Sequence, residues 1–251
     1  MSTLYLSWRQ PDRRWWPVGR LARESSDYVF TYTKGAASAA EAGFRPLLSF
    51  PDLDQTYCSR ELFPLFANRL PPRSRADYDD FVQWLDLGPA EMDPMVLLAR
   101  SGGRRETDMF EVFQAPEPSP AGRYESAFFV HGLRHRGPEA EEEARRLRPG
   151  DPVVLQPGPE NPVDPRALRV LTVVRGTHLG FVPRYLCDDV HSLRATGQED
   201  VHARVRRVNP PPTPAQFRVL CSLDAPWPDG FHPLSSPDFE PIPLFVPAGR
   251  S

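Results

Sequence analysis

Spacing quickly narrows which side chains of this sequence can do chemistry. Cys58, Cys187 and Cys221 are odd in number and far apart, with no Cys-x-x-Cys pair, so neither a zinc site nor a disulfide framework is expected. His131, His135, His178 and His191 have no partner at metal-ligand spacing and read as surface or half-buried rings. Lys34 is the only lysine, and Thr33-Lys34-Gly35 is not the glycine-then-lysine loop that cradles nucleotide phosphates, so no P-loop motor is expected. With no nucleophile beside a base and no paired carboxylates in a recognisable motif, the chain reads as a non-enzyme that takes no cofactor.

What remains is the stretch from Glu160 to Tyr185. In Asn161-Pro-Val-Asp164-Pro two prolines fix φ and two side chains can cap local amides, which predicts a rigid turn. The apolar run Ala167, Leu168, Val170, Leu171, Val173 and Val174 predicts a strand after it, Arg175-Gly-Thr a turn, and residues 178–182 a returning strand. Two readings of Asp164 stand at this point, a turn cap and a functional carboxylate. Arg134 and Arg184 are likewise either solvated charges or ligands. Short strands are also expected at 127–133, 153–155 and 201–208. The last alternates Val and Ala with His and Arg, as a half-buried strand with a basic outer face does.

Asn161, Pro162, Asp164, Ala167, Leu168 and Val170, followed by Leu179, Gly180, Val182, Pro183 and Arg184, resemble the HIRAN domain of SWI2/SNF2-type DNA translocases and of stand-alone bacterial proteins. The resemblance implies a small β-barrel that binds the 3' end of single-stranded DNA. An acidic residue there faces the terminal hydroxyl, aromatics stack on bases and basic residues meet phosphates. The acidic position falls on Asp164. Gly132-Leu133-Arg134 matches a family motif, which makes Arg134 and then Arg184 the phosphate ligands. His135 stands where the family often has an aromatic, and Val163 takes the place of another. Stacking contributes roughly 1–3 kcal/mol per base, so these departures weaken the implied site, with Phe181 and Tyr185 as the aromatics left to substitute. The candidate nucleic-acid-binding residues are therefore Arg134, His135, Asp164, Phe181, Arg184 and Tyr185, with DNA and RNA both open.

The first half has another pattern. Strands are expected at 4–8, 16–22 and 28–33, the last with Tyr28, Phe30 and Tyr32 on one face. Helices are expected at 36–43, at 75–87 with Ser74 as N-cap, and at 95–100, opened by Asp93-Pro and ended by Gly102-Gly103. A strand at 107–113 follows. The Phe63, Phe66 and Leu70 spacing is helical and reads as core. Leu62-Phe-Pro-Leu-Phe-Ala-Asn-Arg-Leu-Pro71, with Val18-Gly-Arg-Leu21 and Leu97-Leu-Ala-Arg-Ser-Gly-Gly103 in the same order, is similar to the N-terminal subdomain of HipA-type toxin kinases. That likeness implies a module that packs on a kinase core and, when encoded separately, restrains the toxin. No phosphate-binding loop or His-x-x-Asp segment follows residue 115, so kinase activity is not carried over.

Composition sets the remaining bounds. A chain of 251 residues with 40% hydrophobic content can hold two ordinary domains. Its net charge of −3 excludes a broadly basic coat, so nucleic acid must meet a local patch; Arg204, Arg206 and Arg207 are the densest basic cluster. No basic start precedes an apolar run and no stretch approaches eighteen apolar residues, so neither export nor a membrane span is expected and a cytoplasmic location is. The expected fold class is α+β, with a small N-terminal β-sheet or barrel carrying helices (1–115), a linker (116–122), a HIRAN-like barrel with a short helix or two (123–225) and a proline-rich extended tail (226–251). Phe231, Phe239, Leu244 and Phe245 can pin that tail onto a groove. The expected function is a non-catalytic regulator that binds single-stranded or end-containing DNA, the alternative an antitoxin-like partner of a kinase toxin or a repressor.

Overall fold

The structure, a computed structural model, describes residues 3–10, 14–105, 107–196 and 200–242; Leu244 and Phe245 lie outside the described residues. In chain order the elements are β1 (Thr3–Arg9), β2 (Trp15–Glu24), β3 (Asp27–Tyr32), α1 (Lys34–Glu41), β4 (Tyr57–Ser59), α2 (Pro64–Ala67), α3 (Tyr78–Trp84), α4 (Pro94–Ser101), β5 (Phe110–Gln114), β6 (Arg123–Phe129), α5 (Pro138–Arg146), β7 (Pro152–Pro157), β8 (Leu168–Thr172), β9 (His178–Phe181), α6 (Arg184–Ala195), β10 (His202–Val208) and β11 (Val219–Pro226). The α+β chain forms two compact units, neither of them one continuous stretch. The first comprises the described residues of Met1–Arg73, Met92–Ala115 and Ser235–Ser251, the second Ser74–Glu91 and those of Pro116–Leu234. Relative to the division expected from sequence, residues 74–91 go with the second unit and the segment from Ser235 with the first.

The first unit is built on an antiparallel sheet of order β4-β3-β2-β1-β5. Alternation on β3 buries Tyr28, Phe30 and Tyr32 and leaves Val29 and Thr31 half-exposed, as a sheet with one covered face requires. Tyr32 is satisfied in this apolar setting because its hydroxyl donates to Phe50 O at 2.6 Å and accepts from Leu47 N at 2.7 Å. The helical spacing of Phe63, Phe66 and Leu70 yields one turn only, with Pro64 at its start and Phe66 fully buried. Asp93 caps α4 by accepting from Met95 N at 2.8 Å, and Gly102, at φ 75°, ends it. The strand expected from 107 begins at Phe110, because Asp108 instead meets the buried guanidinium of Arg69 at 2.7 Å, which also donates to Gly103 O.

The second unit is an antiparallel sheet of order β6-β11-β10-β7-β8-β9 that curls on itself. Its edges meet just past β6: His131 and Phe181 exchange two backbone hydrogen bonds of 2.9 Å, tying the end of β6 to β9. The close approach requires glycine at 180, where φ is 148° and a Cβ would lie 2.3 Å from His131 O. The core is Tyr124, Phe128, Leu133, Leu155, Leu168, Val170, Leu179, Val205 and Leu223 from the strands and turn, with Leu186, Val190 and Leu193 from α6. The strand expected through Val174 stops at Thr172. Gly176, at φ 64°, returns its N–H to Thr172 O, and Val173 and Val174 are left exposed in the turn.

α3 begins at Tyr78 rather than at 75, with Asp77 instead of Ser74 at its N-cap position. It buries Tyr78, Phe81 and Leu85 and sets Phe81 and Trp84 against Phe217 at ring separations of 6.1 and 6.2 Å. Asp86, just past it, accepts from Arg206 Nε at 2.6 Å and Arg207 Nη1 at 3.3 Å. Arg204 donates to Gly150 O. All three arginines of the densest basic cluster in the sequence therefore have partners within the unit, two of them on one carboxylate. Among the described residues no helix is long and apolar enough to cross a membrane.

Candidate nucleic-acid interface

The loop between β7 and β8 is rigid for the reason its sequence suggests. Asn161 Oδ1 accepts from Val163 N and Asp164 N at 2.9 and 3.2 Å, Asp164 Oδ1 accepts from Arg166 N at 2.9 Å, and Ala167 N closes on Asp164 O. Asp164 is thus a turn cap, and its second oxygen does something else. Oδ2 lies 2.8 Å from Nε of Arg184, the first residue of α6. Arg184 Nη1 also reaches Asp188 Oδ2 at 2.7 Å, one helical turn on, and Asp188 takes Nε of Arg166 on its other oxygen. Two carboxylates and two guanidinium groups alternate, so the cluster is locally neutral. Burial works against the charge on Arg184, but Asp188 and Asp164 outweigh it and hold its pKa above the ordinary arginine value.

A second group lies along β9. The turn Leu133–His135 follows Gly132 at φ 82° and buries Leu133, which leaves Arg134, His135 and Arg136 exposed. Arg134 Nε donates to His135 Nε2 at 3.0 Å. The guanidinium of Arg136 lies over the half-buried Phe181 ring, 5.4 Å from its centroid, and His178 meets that ring edge-on at 4.9 Å. Burial first, then Arg136, pushes the His178 pKa down, so this ring is neutral at pH 7. Arg169 on β8 faces Phe181 across the strand pair and binds Glu160 at 2.7 Å.

Of the residues expected from sequence, the structure brings Asp164 and Arg184 into contact and puts Phe181 on the strand that leads to Arg184. Arg134 and His135 occupy the turn that begins beside Phe181, since His131 is the residue bridged to it. Tyr185 is half-buried against the barrel core. Arg136, Arg169 and His178 complete the surroundings of Phe181 and were not anticipated. A readable signal existed for Arg169, which alternates with the apolar residues of β8; none existed for Arg136. Among the described residues no group of His, Cys, Asp and Glu is arranged to hold a metal ion. The arrangement offers guanidinium donors for phosphate oxygens, an aromatic face and one carboxylate acceptor, all from the β7–β8 loop, β8, β9, the turn at 133–135 and the start of α6.

Comparison with known proteins gives this barrel a family. Residues 124–225 match the HIRAN domain and residues 14–105 the HipA N-terminal domain. The chain carries a HIRAN domain preceded by a HipA N-terminal domain, and neither is a kinase core. Similar solved structures include the HIRAN domain of human HLTF, 18% identical, covering 43% of this chain and 81% of that one with a TM-score of 0.30. A protein from Lactobacillus plantarum is 22% identical and covers 41% of this chain and 99% of its own, with a TM-score of 0.31. No curated protein matches the chain.

Proposed function

We propose that the chain is a non-catalytic regulator whose HIRAN domain binds single-stranded or end-containing DNA. The observation that carries this reading is the Asp164–Arg184 contact, set by a rigid loop and a helix start, with an arginine-flanked aromatic ring at the end of the strand that leads into that helix. In this reading Arg134, Arg136 and Arg169 meet phosphates, Arg136 leaving the Phe181 ring so that a base stacks in its place, and Asp164, held by Arg184, accepts from a terminal hydroxyl. Arg184 spends its charge on two carboxylates, so it positions Asp164 more than it adds to the field. With two or three phosphates neutralised, the logarithm of the binding constant falls against the logarithm of salt with a slope of roughly −1.5 to −2.

Fluorescence anisotropy on short oligonucleotides ending in 3'-hydroxyl or 3'-phosphate tests the reading. The hydroxyl end is expected to bind more tightly, with the salt slope given above, and RNA of the same sequence separates the two nucleic acids. No salt-sensitive binding to any of them ends the proposal.

The match of residues 14–105 to the HipA N-terminal domain supports a second reading, in which this module engages a separately encoded HipA-type kinase. Co-purification with products of neighbouring genes tests it, and the absence of any kinase-like partner counts against it.

A further inference from the structure

The first unit holds a segment of its own chain in the manner of a bound peptide. β4 pairs with β3 only from Tyr28 to Phe30, which leaves the end of β3 unpaired on that side. Residues 240–242 fill that edge: Ile242 N donates to Tyr32 O at 3.0 Å and Lys34 N to Glu240 O at 2.8 Å, around an antiparallel bridge of Thr33 with Pro241. Thr33 provides no side-chain cap for α1, so the Glu240 carbonyl satisfies the first amide of that helix. Just before, Phe239 packs its ring among Tyr5, Trp15 and Phe113 at 5.1, 6.0 and 6.4 Å. The flanking acids have partners too: Glu240 pairs with Lys34, and Asp238 accepts from Ser38 Oγ at 3.3 Å.

Main-chain pairing to a sheet edge with one aromatic anchor and charged flanks is how extended peptides are recognised. The segment is also dispensable to the core. No residue of the turn Pro237–Phe239 is buried, and the apolar cluster beneath closes with residues from Leu4 to Val112, Ile242 only flanking it. A surface segment held at a sheet edge, with none of its turn residues buried, opens locally at lower cost than the core. We infer that this surface, made by the end of β3, the start of α1 and the Tyr5–Trp15–Phe113 pocket, is a docking site for an extended peptide with phenylalanine between two carboxylates. The chain's own residues 238–241 occupy it, and a partner presenting the same chemistry exchanges with them.

The test uses full-length protein and a fluorescent peptide copying residues 235–242. A tethered segment competes at an effective concentration in the millimolar range, so the Phe239→Ala chain is expected to take the peptide at least about tenfold more tightly than the wild type. The same peptide with its phenylalanine replaced by alanine should not bind. Adding Lys34→Glu should weaken binding, and a peptide with lysine for its glutamate should recover it. Should Phe239→Ala fail to fold, the Glu240→Lys chain, altered only at an exposed group, replaces it in the same comparison. A folded variant that binds neither peptide, or binds both alike, overturns the inference.

Discussion

Arg184 Nε sits 2.8 Å from Asp164 Oδ2, while the other oxygen of Asp164 caps its own loop at Arg166 N. One carboxylate thus serves the turn and the ion pair together, and substitutions test whether it also serves the proposed DNA site. Asp164→Asn keeps an oxygen for the cap and loses the charge. It is expected to lose about 0.5–1 kcal/mol of stability with the Arg184 ion pair, while abolishing preference for a 3'-hydroxyl end. Asp164→Ala should in addition lose about 1 kcal/mol of stability with the cap. Thermal melts and anisotropy on the two variants check this, and an Asn variant that keeps full end preference would remove Asp164 from the site.

Arg136 is expected to matter for binding and not for folding. It is exposed, and among the described residues its guanidinium meets the Phe181 ring and His178. Arg136→Ala should weaken DNA binding by about tenfold and make the salt slope shallower by about one phosphate's worth, with the melting temperature nearly unchanged. Titrations at several salt concentrations read both quantities. An unaltered slope means the guanidinium meets no phosphate.

How far the sequence discloses all this depends on the range of each interaction. The β3 aromatics and the loop at Asn161–Asp164 are local, and alternation or proline chemistry exposes them. The α6 pattern Leu186, Val190 and Leu193 and the β11 pattern Val219, Cys221, Leu223 and Ala225 are also periodic, hence readable, though neither element was among the expectations. The Asp164–Arg184 contact needs the whole β8–β9 hairpin to bring its ends together, so only the family likeness hinted at it. Arg206 and Arg207 mislead most. As a sequence they are a basic cluster suited to nucleic acid, yet both turn to Asp86, a residue more than a hundred positions earlier.

Asp86 therefore holds α3 to the barrel by charge as well as by the Phe81 and Trp84 rings. Burial raises its pKa, but the two arginines outweigh burial and leave it below the ordinary carboxylate value. A depressed folded pKa means stability present at neutral pH and lost as pH falls through the acidic range. Because the pairs are about a third exposed, Asp86→Ala is expected to cost only about 1 kcal/mol. Hydrogen exchange should meanwhile quicken across residues 78–85. Unchanged protection there would show that the aromatic contacts suffice.

Gly180 is the position where the barrel tolerates least. Alanine would place its Cβ 2.3 Å from His131 O and 2.8 Å from Val130 Cγ1, at a φ that L-residues avoid. The backbone pair His131–Phe181 must then part, which is expected to cost on the order of 3 kcal/mol. Because that pair also sets the turn bearing Arg134 and Arg136 beside Phe181, DNA binding should fall in the fraction that stays folded. Urea denaturation gives the first quantity, and a Gly180→Ala protein as stable as wild type would mean the edges do not close as described.

Asp189 supplies a pH dependence of opposite sign to that of Asp86. It is buried on α6, accepts from Tyr124 Oη at 3.0 Å and from Leu234 N at 2.9 Å, and burial lifts its pKa to about 6 despite both donors. Unfolded, it ionises near 3.8. Between those values the folded chain holds the extra proton, so this contribution is complete below about pH 4 and is lost as pH rises to about 6, on the order of 2–3 kcal/mol in all. Asp189→Asn keeps an acceptor and carries no charge. The wild-type chain should therefore lose stability relative to this variant from pH 4 to pH 6 and run parallel to it above. Urea midpoints across that range decide the matter: curves parallel throughout would mean Asp189 titrates as it does in water.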